Sequence, residues 1–242
     1  MNPKACGWLA LLAALIWPGA APADTHAIVT STRVYQDQET SVTFDYWVGA
    51  DKSCRRTPGR RIITRQDLGI VWTIDLNART YTVSPIEKSA VTPSLPRKPD
   101  RRKLWLDSYQ PDFAWTIRDT GETKSCNGFD CRLFEATGEA DFSEITARYW
   151  IYLAPGAPGG PAFHDYSVSQ YREDRRMAAL VRILDEHPAS FCVYREETVE
   201  PAIAPTVRTR TWLTKIEEAA APPATYELPP GIKRREGRGE DR

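Results

Sequence analysis

The chain has 242 residues, and its 32 Lys and Arg balance its 32 Asp and Glu. With no net charge it has no global field to recruit nucleic acid or an anionic membrane, so a charged partner must be met by a local patch. Eight Trp and ten Tyr against two Met suit an all-β wall or the lining of a cavity.

Residues 1–23 read as a secretory signal. Lys4 precedes the apolar run Ala5 to Trp17, and the small residues up to Ala23 come just before Asp24. Cys6 stands at the start of the apolar run rather than behind it, so lipidation is not expected. No later apolar stretch is long enough to cross a bilayer, and residues 24–232 are expected to form one β domain folding in the periplasm. Residues 233–242, a charged tail, are expected to be disordered.

Along the chain, apolar residues recur at every second position. Val42, Phe44, Tyr46 and Val48 form one such series; Ile70, Trp72, Ile74 and Leu76 form another, turning through Asp75 to Arg79 into Tyr81 and Val83 as a hairpin over 70–86. Between these series the basic cluster Arg55 to Arg61 sits where a strand should turn and reads as a solvated loop tip. Residues 89–111, with Pro93, Pro96 and Pro99 ahead of the stretch Leu104 to Leu106, and with the basic run Arg97 to Lys103, read as a loop or lid. Phe113, Trp115 and Ile117 begin the next strand, which Asn127-Gly128 turns back into Cys131 and Leu133. Tyr149, Ile151 and Leu153 interleave with Trp150 and Tyr152, so that strand is apolar on both faces and central or pocket-lining. Residues 154–161 read as a turn or linker, and the spacing of Met177, Leu180, Val181 and Leu184 predicts one helix over 167–186. Strands return at 191–197 and 207–216.

With Cys6 removed, Cys54, Cys126, Cys131 and Cys192 form an even set for which two disulfides are the default, with three pairings possible. Cys126 with Cys131, facing each other across Asn127 to Asp130, is the expected bridge, and Cys54 with Cys192 follows by elimination. A metal site is the rival, but the spacing lacks paired Cys-x-x-Cys and no His lies nearby in sequence.

The residue types that catalysis needs are scarce. Three His, at 26, 164 and 187, show no metal-helix spacing, and a Gly-x-Ser-x-Gly turn is absent. His164-Asp165 could pair a base with an orienting carboxylate, yet it reads more plainly as a polar helix start. Neither a phosphate-cradling loop nor the aromatic interleaving of single-strand nucleic-acid binders is present. The aromatic series are core in a closed sandwich and cavity lining in an open barrel.

The succession Tyr46 to Lys52, Trp72 to Asp75 with Thr80-Tyr81, Gly121 to Thr123 with Asn127 to Cys131, and Tyr226 to Gly231 resembles a bacterial periplasmic domain similar to the LolA/LolB lipoprotein carriers. That resemblance implies a strongly curved antiparallel sheet, an unclosed β-barrel with a helical lid over a cavity for acyl chains. It makes the expected function non-catalytic binding of a lipid, lipoprotein acyl chain or other apolar ligand, without a cofactor. The expected ligand-facing residues are Phe44, Tyr46, Trp72, Ile74, Trp115, Ile117, Tyr149 and Ile151. An envelope protein-interaction or sensor module is the alternative, and a hydrolase working through His164 comes last.

Overall fold

The computed structural model describes residues 23–86, 113–140, 145–156, 158, 160–172, 174–201 and 204–235. Residues 1–22 of the expected signal with Cys6, the whole of the 89–111 loop with its basic run, and residues 236–242 lie outside the described residues. Twelve strands form one sheet in the order β12-β6-β5-β4-β3-β2-β1-β11-β10-β9-β8-β7, unclosed and antiparallel except at one edge. The strands are β1 (Asp24–Tyr35), β2 (Gln38–Val48), β3 (Lys52–Thr57), β4 (Arg60–Arg65), β5 (Ile70–Asp75), β6 (Thr80–Pro85), β7 (Phe113–Cys126), β8 (Phe129–Ala140), β9 (Ile145–Pro155), β10 (Ser190–Pro201), β11 (Val207–Ala219) and β12 (Lys233–Arg234). Two helices, α1 (Gly160–Arg172) and α2 (Ala178–Glu186), sit between β9 and β10 in sequence.

Tight turns account for much of this order. Gln36 and Asp37 (φ 49° and 62°) join β1 to β2, and Asn127 and Gly128 (φ 49° and 82°) join β7 to β8, both with the paired positive φ that matches strand twist. The β7–β8 loop is therefore two residues long, not four. The expected hairpin over 70–86 forms as β5 and β6, and the doubly apolar strand is β9, held between β8 and β10.

Three expectations are corrected. Arg55 to Arg61 is no loop tip: Arg55 and Arg56 lie in β3, which ends at Thr57, Arg60 and Arg61 begin β4, and only Pro58 and Gly59 turn. The single helix over 167–186 is two helices, because Asp174 leaves helical geometry (φ −107°, ψ 108°) and its side chain accepts from the Arg176 N–H, starting a 3-10 turn into α2. The first helix starts earlier, inside the expected linker. Residues 233–235 are not free tail: Lys233 N–H donates to the Arg79 carbonyl (3.0 Å) and Arg235 N–H to that of Tyr81 (2.7 Å), making β12 a parallel edge on β6.

The register shows which residues share a face, since directly paired residues project to the same side. Tyr46, Arg55 and Ile62 line up across β2, β3 and β4, while Trp47, Cys54, Ile63 and Trp72 line up on the opposite side. The helices cover the first of these faces. Under α2, Leu180, Ile183 and Leu184 pack on Phe134, Tyr149 and Ile151; α1 sets Phe163 against Ala27, Val48, Val193 and Leu213. On the opposite face of β2–β6, the segment after β11 lays Tyr226, Leu228 and Ile232 over Trp47, Cys54, Ile63 and Ile74.

Candidate functional site

Between the helix-bearing face of β2–β5 and the flank of α1 lies a groove of 410 Å³. Val48, Ile62 and Val71 are its apolar residues on the sheet side, Ala162 and Tyr166 those on α1, and Lys52 and Arg55 bring cationic side chains to it. Strand alternation accounts for the sheet residues, because Val48, Ser53, Thr64 and Val71 are paired in one row and Arg55 and Ile62 in the next.

A second cavity, of 70 Å³, lies deeper under α1. Val29, Phe163, Val193 and Leu213 give it apolar walls, with Tyr46, Tyr171, Cys192 and Thr211 among its polar-tipped ones. Tyr166 and Gln170 line both cavities, so the two adjoin at one turn of α1. Two polar contacts fix that helix: His164 Nδ1 donates to the Ser190 carbonyl (3.0 Å), and Arg55 Nη1 donates to Gln170 Oε1 (3.2 Å). Buried His164 is thus a tether between α1 and the start of β10.

Burial sets the protonation of the walls. It pushes the phenols of Tyr46, Tyr166 and Tyr171 up, with the nearby Arg55 guanidinium partly opposing this at Tyr46. It pushes the Cys192 thiol up to about 11 despite Arg195. All four are neutral near pH 7, so the inner cavity is walled by uncharged groups.

Of the eight expected ligand-facing residues, six share the helix-bearing face, and Tyr46 is the one that lines either the groove or the inner cavity. Phe44 stacks on Tyr46 with ring centroids 6.0 Å apart. Tyr149 and Ile151 lie beneath α2, with Trp115 and Ile117 packed against the same cluster; the Trp115 and Tyr149 rings stack at 4.9 Å. Trp72 and Ile74 project to the opposite face, against the segment carrying Tyr226. The groove residues that the periodicity did not single out are small or polar ones on α1 and β3, such as Ala162, Gln170 and Ser53. Their signal in the sequence is the amphipathic break between helix and strand, which names no cavity by itself.

The four cysteines stand as free thiols. Cys126 and Cys131 are diagonal neighbours on the β7–β8 hairpin, the Cys131 Sγ–H points at the Phe129 carbonyl (3.4 Å), and burial, followed by the nearby Cys126, pushes the Cys131 thiol up to about 12. Cys54 and Cys192, the pair expected by elimination, belong to different clusters. Cys54 lies under Tyr226, where the Arg61 Nε–H points at its Sγ (3.3 Å), and Cys192 lies beneath the helices. Elimination supplied a partner only on the premise that every thiol is bridged. Among the described residues, no group of three or more His, Cys, Asp or Glu could hold a metal ion, and no helix is long and apolar enough to cross a membrane.

No family model matches the sequence, and no curated protein does. Solved structures similar to the chain include PNGF-II, 10% identical with 88% of this chain and 31% of that chain covered, at a TM-score of 0.35. A LolA superfamily protein from Nitrosomonas europaea is 8% identical, with 85% and 90% covered and a TM-score of 0.33. A DUF1329 family protein from Desulfovibrio piger is 11% identical, with 86% and 91% covered and a TM-score of 0.34. This chain thus spans about a third of the length of PNGF-II.

Proposed function

We propose that this protein is a non-catalytic binder of an apolar ligand, a lipid or a lipoprotein acyl chain, acting in the periplasm after residues 1–23 are removed. The observation that carries the reading is the 410 Å³ groove with its apolar strand residues, next to a deeper cavity walled by neutral groups. Ligand sites commonly enclose about 300–1,000 Å³ and are mostly apolar, with a few placed polar groups. Val48, Ile62 and Val71 supply the apolar surface, Tyr46 and Tyr166 the aromatic wall, and Lys52 and Arg55 the polar groups. The role asks for no nucleophile: the buried phenols and the Cys192 thiol are held protonated, and His164 is committed to a backbone carbonyl.

Native mass spectrometry with organic extraction of the periplasmically purified protein tests this. A bound mass that extracts as lipid is the expected result. An apo mass, together with no uptake of a fluorescent fatty acid, would overturn the reading.

A further inference from the structure

Arg195, on β10, is the unusual residue next to the inner cavity. It is 8% exposed and projects from the helix-bearing face, paired across the strands with Thr211 on one side and Ile151 on the other. Its Nη1 points at the Met177 sulfur (3.1 Å), a weak acceptor, and its guanidinium lies 5.6 Å from the centre of the Tyr171 ring. Its Nε–H is buried with no hydrogen-bond partner among the described residues. Glu197, two residues on and facing the same way, accepts the Tyr149 hydroxyl at Oε1 (3.1 Å).

A guanidinium taken out of water costs several kcal/mol unless an anion and hydrogen bonds compensate it. The nearby Glu197 carboxylate offsets part of that cost, and a thioether and a ring face leave the Nε–H unsatisfied. Arg195 stands behind the cavity wall rather than in it: its neighbours Thr211, Tyr171 and Cys192 line the cavity, and the Tyr46, Tyr171 and Cys192 ionisations each respond to Arg195.

We infer that the inner cavity is the head-group site of an anionic amphiphile, with Arg195 as its buried counter-ion and the outer groove holding the hydrocarbon chain. The inference rests on the apolar-ligand reading and narrows it to one ligand class. At 70 Å³ the cavity admits a head of few heavy atoms. A carboxylate fits that limit, where a glycerophosphate with its substituents does not. The planar fork of an arginine pairs with carboxylate oxygens in two parallel hydrogen bonds, which would engage the unpartnered Nε–H.

The experiment compares oleate, oleyl alcohol and a lysophosphatidylglycerol as ligands of the delipidated protein by isothermal titration calorimetry. Wild type should bind oleate at least ten-fold more tightly than oleyl alcohol, and lysophosphatidylglycerol more weakly than oleate. Arg195→Gln should bring oleate down to the affinity of oleyl alcohol, and Arg195→Lys should retain part of the preference. If oleate and oleyl alcohol bind wild type equally, Arg195 is no counter-ion and the inference fails while the apolar-ligand reading stands. Preference for the lysophospholipid would also overturn it, assigning the anion to a phosphodiester. If none of the three binds, the apolar-ligand reading itself fails. The wild-type comparison decides the matter even if Arg195→Gln does not fold.

Discussion

The two halves of the sheet bury opposite faces. In the β7–β10 half, α2 and the end of α1 seal the inner face, with Leu180, Ile183 and Leu184 over Tyr149, Ile151 and Phe134. In the β2–β6 half, the segment after β11 seals the outer face at Trp47, Cys54, Ile63 and Ile74, and the inner face borders the groove. A sheet this wide has more surface than two short helices can cover. Closing the second half from behind gives it a core while leaving the groove open in front. The same division explains why Trp72 and Ile74 are structural although they alternate just as Tyr149 and Ile151 do.

If the helix-covered half carries most of the stability, truncating its centre should destabilise the protein more than a change in the groove or in the outer closure. Leu180 is fully buried in α2, and Leu180→Ala should cost about 2–5 kcal/mol, from lost transfer energy and a cavity that only partly relaxes. Urea unfolding measures it. A loss under about 1 kcal/mol would show α2 to be a loosely docked cover.

The outer closure has its own key residue. Buried Arg61 donates through Nη2 to the carbonyls of Ala224 (2.6 Å) and Thr225, and through Nε to Cys54 Sγ, fixing the segment that carries Tyr226. Arg61→Met keeps the apolar stem but strands those acceptors, at a cost of about 1–3 kcal/mol. Amide hydrogen exchange should then quicken in 219–235 and on β6 while β8 and β9 stay protected. Uniform acceleration across the sheet would mean that the two halves are one cooperative unit.

Close packing in the covered half offers a similar or smaller lever. Gly138 on β8 lies under the Trp115 ring, and an added Cβ would sit 2.7 Å from it. Gly138→Ala should therefore cost about 1–3 kcal/mol through overpacking and change the near-ultraviolet circular dichroism of that Trp. In the open half, no comparable penalty is expected for bulk added to the groove.

How far these halves were legible in the sequence follows from what alternation encodes. Period-two patterning marked β2, β5, β7 and β9, and Asn127-Gly128 marked the β7–β8 turn, because both are local consequences of strand geometry. It could not say which side each apolar series would face relative to the helices, since that depends on strands far apart in sequence. The eight aromatic and aliphatic candidates therefore divided between three environments. Arg55 to Arg61 failed for a related reason: four arginines look solvated until a distant segment supplies Arg61 with carbonyls. The helix break at Asp174 was locally encoded, but the apolar spacing on either side of it masked the cap.

The buried phenols give a pH test spanning both halves. Burial raises Tyr149 in the covered half, with Glu197 adding to the shift; it also raises Tyr226 in the outer closure and Tyr166 at the groove. For an acid whose folded pKa lies above its unfolded value, the stabilisation is complete below the unfolded value, about 10 for tyrosine, and is lost as pH rises through the folded one. The free Cys131 and Cys192 thiols, held up to about 12 and about 11, act in the same direction from about pH 8.5 upwards. The urea midpoint should be insensitive to these groups near pH 7–8 and fall beyond pH 9, with Tyr149→Phe reducing the alkaline fall. An unchanged midpoint up to pH 11 would mean that these side chains are solvated.

The smallest effect on stability should come from the groove, and it is the most diagnostic of function. Thr64 on β4 is half-buried, lines the groove and is paired on one side with Ser53 and on the other with Val71. Thr64→Trp places a large ring into space that is already open, so it needs no repacking of the kind that penalises Gly138→Ala. Aromatic residues are well tolerated on a pleated surface, and the change in unfolding free energy should stay within about 1 kcal/mol. Uptake of an apolar ligand should nonetheless fall at least ten-fold, because the ring would take up part of the volume that a chain needs. Leu180→Ala should show the reverse, a large loss of stability with ligand affinity preserved in the fraction that remains folded. If Thr64→Trp leaves uptake intact, the ligand does not lie along β2–β5. The inner face of that half is then unsealed for some purpose other than holding a chain.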